Sequence, residues 1–377
     1  MTASPPTYVI AARRSAVVPR NGAFASLAFH ELSTPVIAAC LTDAGLGVDA
    51  VDEVILSNAL GGGGNPARIV ALAAGLPETV AGLSIDRQCV GGLDALLLAD
   101  ALIRSGQCEI VLAGGVESYS RRPLRFRTFA DGSPPEPYEQ ASFTPWPDRD
   151  PDMATAAHAL AERLGISRKE QDEFAMASHK KAMAAQMEGQ FGEIVAIEGV
   201  MSDSFTRPLS QRLCDRAPVH AGSITSANMS VAADGAAFCL VVSERIALSL
   251  SCFRMALIGG KTLGGDPTLP GLAPVKAINA CLKENAIRPS ELTVAEVMEA
   301  FAVQAIACQR GSDLPEAIVN PAGGSLARGH PVGASGAILA VRLYAELKQR
   351  GGIGLASIAA AGGLGTALIA KATNPDV

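Results

Sequence analysis

The sequence predicts an α/β protein of stacked helix and sheet layers, built twice over. Three observations carry that prediction. First, a short apolar strand, an apolar helix and another strand follow one another, which describes a sheet covered by helices on both faces. Second, the 377 residues include 38 glycines but only 4% aromatics, which suits tightly turned, close-packed layers better than a β-sandwich. Third, the second half of the chain repeats the order of strands, glycine turns and helices found in the first.

Taken in order, residues 8–12 read as a strand and residues 32–44 as a helix stopping at Gly45. Residues 51–56 read as the second strand. The four glycines at 61–64 are followed by no Lys-Ser/Thr, so they describe a crowded turn rather than a phosphate loop. Residues 67–74 form a helix closing at Gly75. Asp86-Arg87-Gln88-Cys89-Val90-Gly91-Gly92 is a loop and a glycine-assisted turn into a buried helix over 93–103. Residues 110–113 make an apolar strand ending at Gly114-Gly115. The stretch 119–152 breaks this rhythm, with Arg121, Arg122, Arg125 and Arg127 clustered and five prolines following them by Pro147. Those arginines suit the phosphate groups of a ligand, or equally a solvated loop. Ser167-Arg168-Lys169-Glu170 is a capping box opening a helix to about residue 186. A polar loop then leads into a strand at 236–242, and Ser243-Glu244 begins another helix.

In the second half, Val294-Ala295-Glu296-Val297 takes the place of Val51-Asp52-Glu53-Val54. His330-Pro331-Val332-Gly333 opens a helix over 337–347, as Cys89 opens its own. A strand at 353–359 then ends at Gly362-Gly363, as the earlier one ends at Gly114-Gly115. Duplication puts Cys89 and His330 at equivalent loop-to-helix corners, which a pseudo-twofold axis would bring together. A cysteine beside the positive end of a helix is expected to ionise readily, and a thiolate is a nucleophile. A buried structural cysteine is the alternative. Acyl chemistry at such a sulfur needs an oxyanion hole and proton exchange. The glycine turns offer backbone N–H groups for the first and His330 a ring nitrogen for the second.

Net charge is −6, which disfavours general affinity for nucleic acid or an anionic membrane. Eight scattered cysteines without a CxxC pair, and only five histidines, predict neither a zinc site nor a disulfide framework. Met1 to Pro6 lacks a basic segment followed by an apolar one, and no run of 18 apolar residues occurs; a soluble, cytoplasmic protein is expected.

Several segments together resemble the thiolase family, the CoA-dependent acyltransferases that make or cleave 3-ketoacyl-CoA. The matching stretches are residues 86–93, Ala113-Gly114-Gly115-Val116-Glu117-Ser118, residues 226–237, Glu299-Ala300-Phe301-Ala302, Gly329-His330-Pro331-Val332-Gly333 and Gly362-Gly363-Leu364-Gly365. The resemblance implies two βαβαβαββ halves in a five-layered αβαβα core with an inserted loop domain. The halves would be residues 1–118 with 233–253, and 254–377, and the loop domain 119–232. It implies that Cys89 carries the acyl group, and that His330 activates it and helps form one oxyanion hole. The backbone N–H groups of Cys89 and Ala361 would form the other. Glu299 falls in a catalytic loop and is counted with these. Met153, Ser230, Phe301 and Arg207 match positions that contact CoA. The implied ligand is an acyl-CoA acting as substrate, with no separate cofactor and no metal. The implied assembly is a homodimer or homotetramer meeting near residues 65–76.

Two positions depart from the pattern. Thiolases carry an Asn just before Glu-Ala-Phe, holding an oxyanion-hole water, and a second Cys in the last loop, taking the α-proton of the attacking acetyl-CoA. Met298 and Ala359 stand there. Acid–base help is typically worth about 10²–10⁴-fold and an oxyanion donor roughly 10²–10³-fold. Ordinary non-decarboxylative condensation should therefore be severely slowed. Loading of Cys89 does not need the missing base. The expectation is an acyltransferase that forms a thioester on Cys89 and passes the acyl group to CoA or a carbon or other nucleophile. Two alternatives stand beside it. One is a working acetyl-CoA acetyltransferase or 3-ketoacyl-CoA thiolase with a substitute base such as His158 or Cys252. The other is a non-catalytic CoA-ester-binding or scaffold subunit.

Overall fold

The computed structural model describes residues 5–373. Its first half runs β1 (Thr7–Ser15), α1 (Phe29–Ala44), β2 (Glu53–Ser57), α2 (Pro66–Ala73), β3 (Leu83–Ile85), α3 (Gly91–Arg104) and β4 (Ile110–Glu117). A long insertion containing α4 (Met153–Leu164) and α5 (Arg168–Met187) precedes β5 (Ala233–Ser243), the last strand of that half. The second half repeats the order as β6 (Arg254–Gly264), α6 (Ala273–Glu284), β7 (Leu292–Val297), α7 (Ala302–Gly311), α8 (Val332–Arg350), β8 (Ile353–Ala360) and β9 (Leu364–Thr373). Its counterpart of β3 is reduced to Val319, which makes a single parallel bridge to Ala295 of β7.

The strands lie in the order β7-β8-β9-β6-β1-β5-β4-β2-β3. Read outward from β1 and from β6, the two halves have the same connectivity. They are joined where Thr7, Tyr8 and Val9 pair antiparallel with Leu257, Ala256 and Met255. Alternation along β5 shows how the sheet feeds two cores. Ala237, Cys239 and Val241 enter a central cluster with α3 and α8. Ala236, Phe238, Leu240 and Val242 face an outer cluster with α1 and α2. A third cluster covers the outer face of the second half with residues of α6 and α7. Helices, sheet, helices, sheet, helices make the five layers.

The central layer exists because glycine lets α3 and α8 touch backbone to backbone. A Cβ on Gly92 would stand 2.5 Å from Ala337 N, and one on Gly336 would stand 2.4 Å from Leu93 N. The same packing corrects the expected end of β4. The strand does not stop at Gly114-Gly115 but continues, buried, to Glu117. A Cβ on Gly115 would lie 2.1 Å from Gly333 O, so that glycine admits the first turn of α8 rather than ending the strand. Helix α1 begins three residues earlier than expected, where the Glu31 carboxylate accepts from Ala28 N at 2.7 Å. Among the described residues, no helix is long and apolar enough to cross a membrane.

Candidate active site

Cys89 lies in a single tight turn, Gln88–Val90, that runs straight into α3. Gln88 takes a left-handed φ of 54°, an uncommon conformation for a side chain of that size, immediately before the sulfur. The turn is braced by Asp94, which accepts from Arg87 at 2.8 Å, Thr262 at 2.6 Å and Thr366 at 2.8 Å. His330 follows Gly329, whose φ of 113° only glycine adopts freely. The His330 backbone N donates to Val231 O at 2.8 Å.

The two corners meet. His330 Nε2 is 3.3 Å from Cys89 Sγ, and its Nδ1 is 2.6 Å from Ser335 Oγ. Ser335 Oγ donates to Pro331 O at 3.1 Å, which leaves it to accept from Nδ1–H. That tautomer turns the Nε2 lone pair toward the sulfur. Ser335 was not singled out in the sequence; its signal is its place one helical turn after Pro331.

Glu117 ties the segment after β2 to the His330 corner. Its carboxylate accepts from Ala59 N at 3.1 Å, Leu60 N at 3.2 Å, Gly333 N at 2.9 Å and Asn58 Nδ2 at 3.0 Å. Burial raises its pKa to about 7 against the lowering effect of those bonds.

Burial also decides the state of the reacting pair. It pushes the Cys89 thiol up to about 12, aided by the negative charges of Glu117 and Asp86. It pulls His330 down to about 4. The expected helix-start thiolate is therefore not the resting form: desolvation outweighs the helix dipole, and thiol and imidazole are both neutral near pH 7. The geometry suits proton transfer during attack rather than a standing ion pair.

Both side chains open into a cavity of about 530 Å³. Met153, Ala156, Ala157 and Leu160 of α4 form one apolar wall with Phe301. Asp86, Gln88, Tyr119, Arg125 and Glu139 add polar groups to the lining, and Ser230, Ala359 and Ala361 also line the space. The 119–152 excursion thus reaches the site through Tyr119, Arg125 and the strap 139–143.

This duplicated fold and its paired corners have known counterparts. The thiolase N-terminal domain family matches residues 7–245, and the thiolase C-terminal domain family matches residues 254–372. The chain belongs to the thiolase family. Thiolases are acyltransferases. A Bacillus subtilis (strain 168) relative, YhfS, provisionally named an acetyl-CoA C-acetyltransferase, is 39% identical over 96% of this chain and 98% of its own length. The crystal structure of the Bacillus anthracis acetyl-CoA acetyltransferase superposes with a TM-score of 0.91 at 33% identity, covering 99% of this chain and 100% of that one. The crystal structure of human mitochondrial 3-ketoacyl-CoA thiolase in complex with CoA gives 0.91 at 30% identity, covering 98% of each.

Within this thiolase the remaining expected residues are distributed unevenly. Glu299 does not line the cavity. It is buried, accepting from Ser178 Oγ at 2.7 Å, Asn320 Nδ2 at 2.6 Å and Leu326 N at 3.2 Å. Its carboxylate braces Ser178, Asn320 and Leu326, while Ala300 and Phe301 beside it line the cavity. Burial raises its pKa despite those donors. Met298 is also buried, its Sδ 3.4 Å from Ser325 Oγ, and it lines a small void with Gly329 and Ser335 rather than the cavity. Arg207 stays outside the cavity, its guanidinium stacked 3.9 Å from the Phe205 ring centroid. The two suggested substitute bases are elsewhere too. His158 lies 3.4 Å from Ser223 Oγ, and Cys252 packs against the outer core of the first half. Among the described residues, no His/Cys/Asp/Glu group could hold a metal ion.

Proposed function

We propose that this thiolase takes an acyl group from an acyl-CoA onto Cys89 and passes it to CoA or to another nucleophile, without running an efficient Claisen condensation. The observation that carries the reading is the 3.3 Å contact between Cys89 Sγ and His330 Nε2 at a cavity where Ala359 offers no second thiol.

In this reading Sγ attacks the thioester carbonyl while its proton moves to His330 Nε2. The N–H groups of Cys89 and Ala361 receive the oxyanion. Collapse breaks the carbon–sulfur bond to CoA, the leaving thiolate takes the proton from His330, and free CoA and acyl-Cys89 result. A condensation would further require removal of an α-proton. Ala359 has no titratable group for that task, and Met298, a weak acceptor at best, does not line the cavity.

Met153, Ser230 and Phe301 would flank the CoA arm along the apolar wall, and Arg207 would meet CoA only beyond the cavity. CoA is a substrate here and no resident cofactor is needed. The same reading takes the protein to be cytoplasmic and to form homodimers or homotetramers. Exposed Ile69 and Leu72 on α2 and Leu83 on the edge strand β3 support the self-association.

The test is intact-protein mass after incubation with acetyl-CoA. An added acetyl group, absent in Cys89→Ala, is expected. No adduct from any acyl-CoA would sink the proposal in favour of a scaffold role.

A further inference from the structure

We propose that Arg125 makes the acyl end of the cavity a carboxylate-binding subsite, so that the preferred acyl group ends in a carboxylate. This rests on the reading that Cys89 is loaded from an acyl-CoA. The CoA arm is read against α4 and Phe301, and Arg125 lines the same cavity into which Cys89 and His330 open.

Arg125 stands in a short hairpin, Arg125–Arg127 paired with Glu136–Tyr138, in which Arg125 sits opposite Tyr138. Of the four clustered arginines it alone lines the cavity. Arg121 turns away to Ser26 O at 2.7 Å. Arg122 is held by Glu139 at 2.9 Å and lies 4.6 Å from the Tyr119 ring centroid. Arg127 is exposed.

Arg125 is half-buried, and its Nη2 donates to Ala59 O at 3.1 Å. No carboxylate pairs with it among the described residues. The two acids nearby are otherwise engaged: Glu139 is neutralised by Arg122, and exposed Asp86 accepts from Gln88 N at 2.9 Å. A partly desolvated guanidinium without an acid partner is an incomplete interaction, and its planar fork of donors fits a carboxylate. Its anchor is held as well: Ala59 donates to the Glu117 carboxylate, which also accepts from Gly333 N in the His330 loop.

The experiment compares rates of Cys89 adduct formation on the full chain, by intact-protein mass, with acetyl-, pentanoyl- and succinyl-CoA. The last two are close in length and differ in the terminal carboxylate. Succinyl loading should exceed pentanoyl loading by about tenfold or more, the usual worth of a hydrogen-bonded charge pair. Arg125→Gln should collapse that ratio and Arg125→Lys should restore part of it. Equal or faster pentanoyl loading in the unmodified protein overturns the inference, whatever the variants do. Equal slowing of all three esters by Arg125→Gln also overturns it and assigns the arginine to a CoA phosphate. Adducts from acetyl- and pentanoyl-CoA without a succinyl preference leave acyl loading intact and remove only this subsite. No adduct at all removes both.

Discussion

The two helix-start corners of this molecule are equivalent in backbone and unequal in chemistry. Each follows the third strand position of its half, each opens a helix of the central layer, and each depends on glycine where α3 crosses α8. The first corner keeps its sulfur, its turn braced by Asp94. The second keeps its imidazole, oriented by Ser335, but its neighbours at 298 and 359 are a thioether and a methyl group. Duplication supplies matching scaffolds; the side chains hung on them decide which half-reaction each can support. Acyl loading asks for one thiol and one base. In the proposed reading, condensation asks the second corner for more than Met298 and Ala359 supply.

The comparison can be broken most severely at Cys89. Cys89→Ala should abolish acyl adduct formation entirely, read by intact mass, because no other cysteine lines the cavity among the described residues. Next, His330→Gln should slow adduct formation by about 10²–10⁴-fold, the usual worth of a general base; a loss under tenfold would show that the 3.3 Å contact is not the proton path. Rebuilding the second corner should sharpen the contrast: Met298→Asn with Ala359→Cys should raise acetoacetyl-CoA thiolysis by roughly 10²-fold. An unchanged rate in that spectrophotometric assay would mean something else limits the second half. The shared scaffold is probed by Gly92→Ala, whose Cβ would press on Ala337 N, with an expected loss of about 1–3 kcal/mol in denaturant unfolding. The smallest effect is in pH dependence. With Cys89 at about 12 and His330 at about 4, both groups are neutral between those values. Iodoacetamide labelling of Cys89 should therefore climb about tenfold per pH unit from about pH 6 to about pH 9, following the thiolate fraction. A plateau across that range would reveal a preformed ion pair.

Much of this was legible in the sequence because the repeat is a pattern of strands and glycines, and patterns survive in one dimension. The strand–helix order and the meeting of Cys89 with His330 follow from it, whereas Met153, Ser230, Phe301 and Ala361, which line the cavity, were expected only from the family resemblance. Three things did not follow. Gly114-Gly115 read as a strand end because local propensity cannot show that β5 crowds Gly114 and that α8 presses on Gly115 from more than 200 residues away. The Cys89 thiolate was inferred from a helix end alone, whereas desolvation is a property of the whole packed site. Glu299 belongs to a motif whose Phe301 reaches the cavity while its own carboxylate braces Ser178 and Asn320, and a motif does not say which members face inward.

The most direct test of an acyl-loading corner beside a disarmed one uses deuterium. Incubated with acetyl-CoA in heavy water, the protein should form acetyl-Cys89, while the methyl group of free acetyl-CoA, followed by mass spectrometry, gains no deuterium beyond the uncatalysed rate. Rapid enzyme-dependent deuteration would mean that an α-proton base operates in the cavity after all, and would contradict the account.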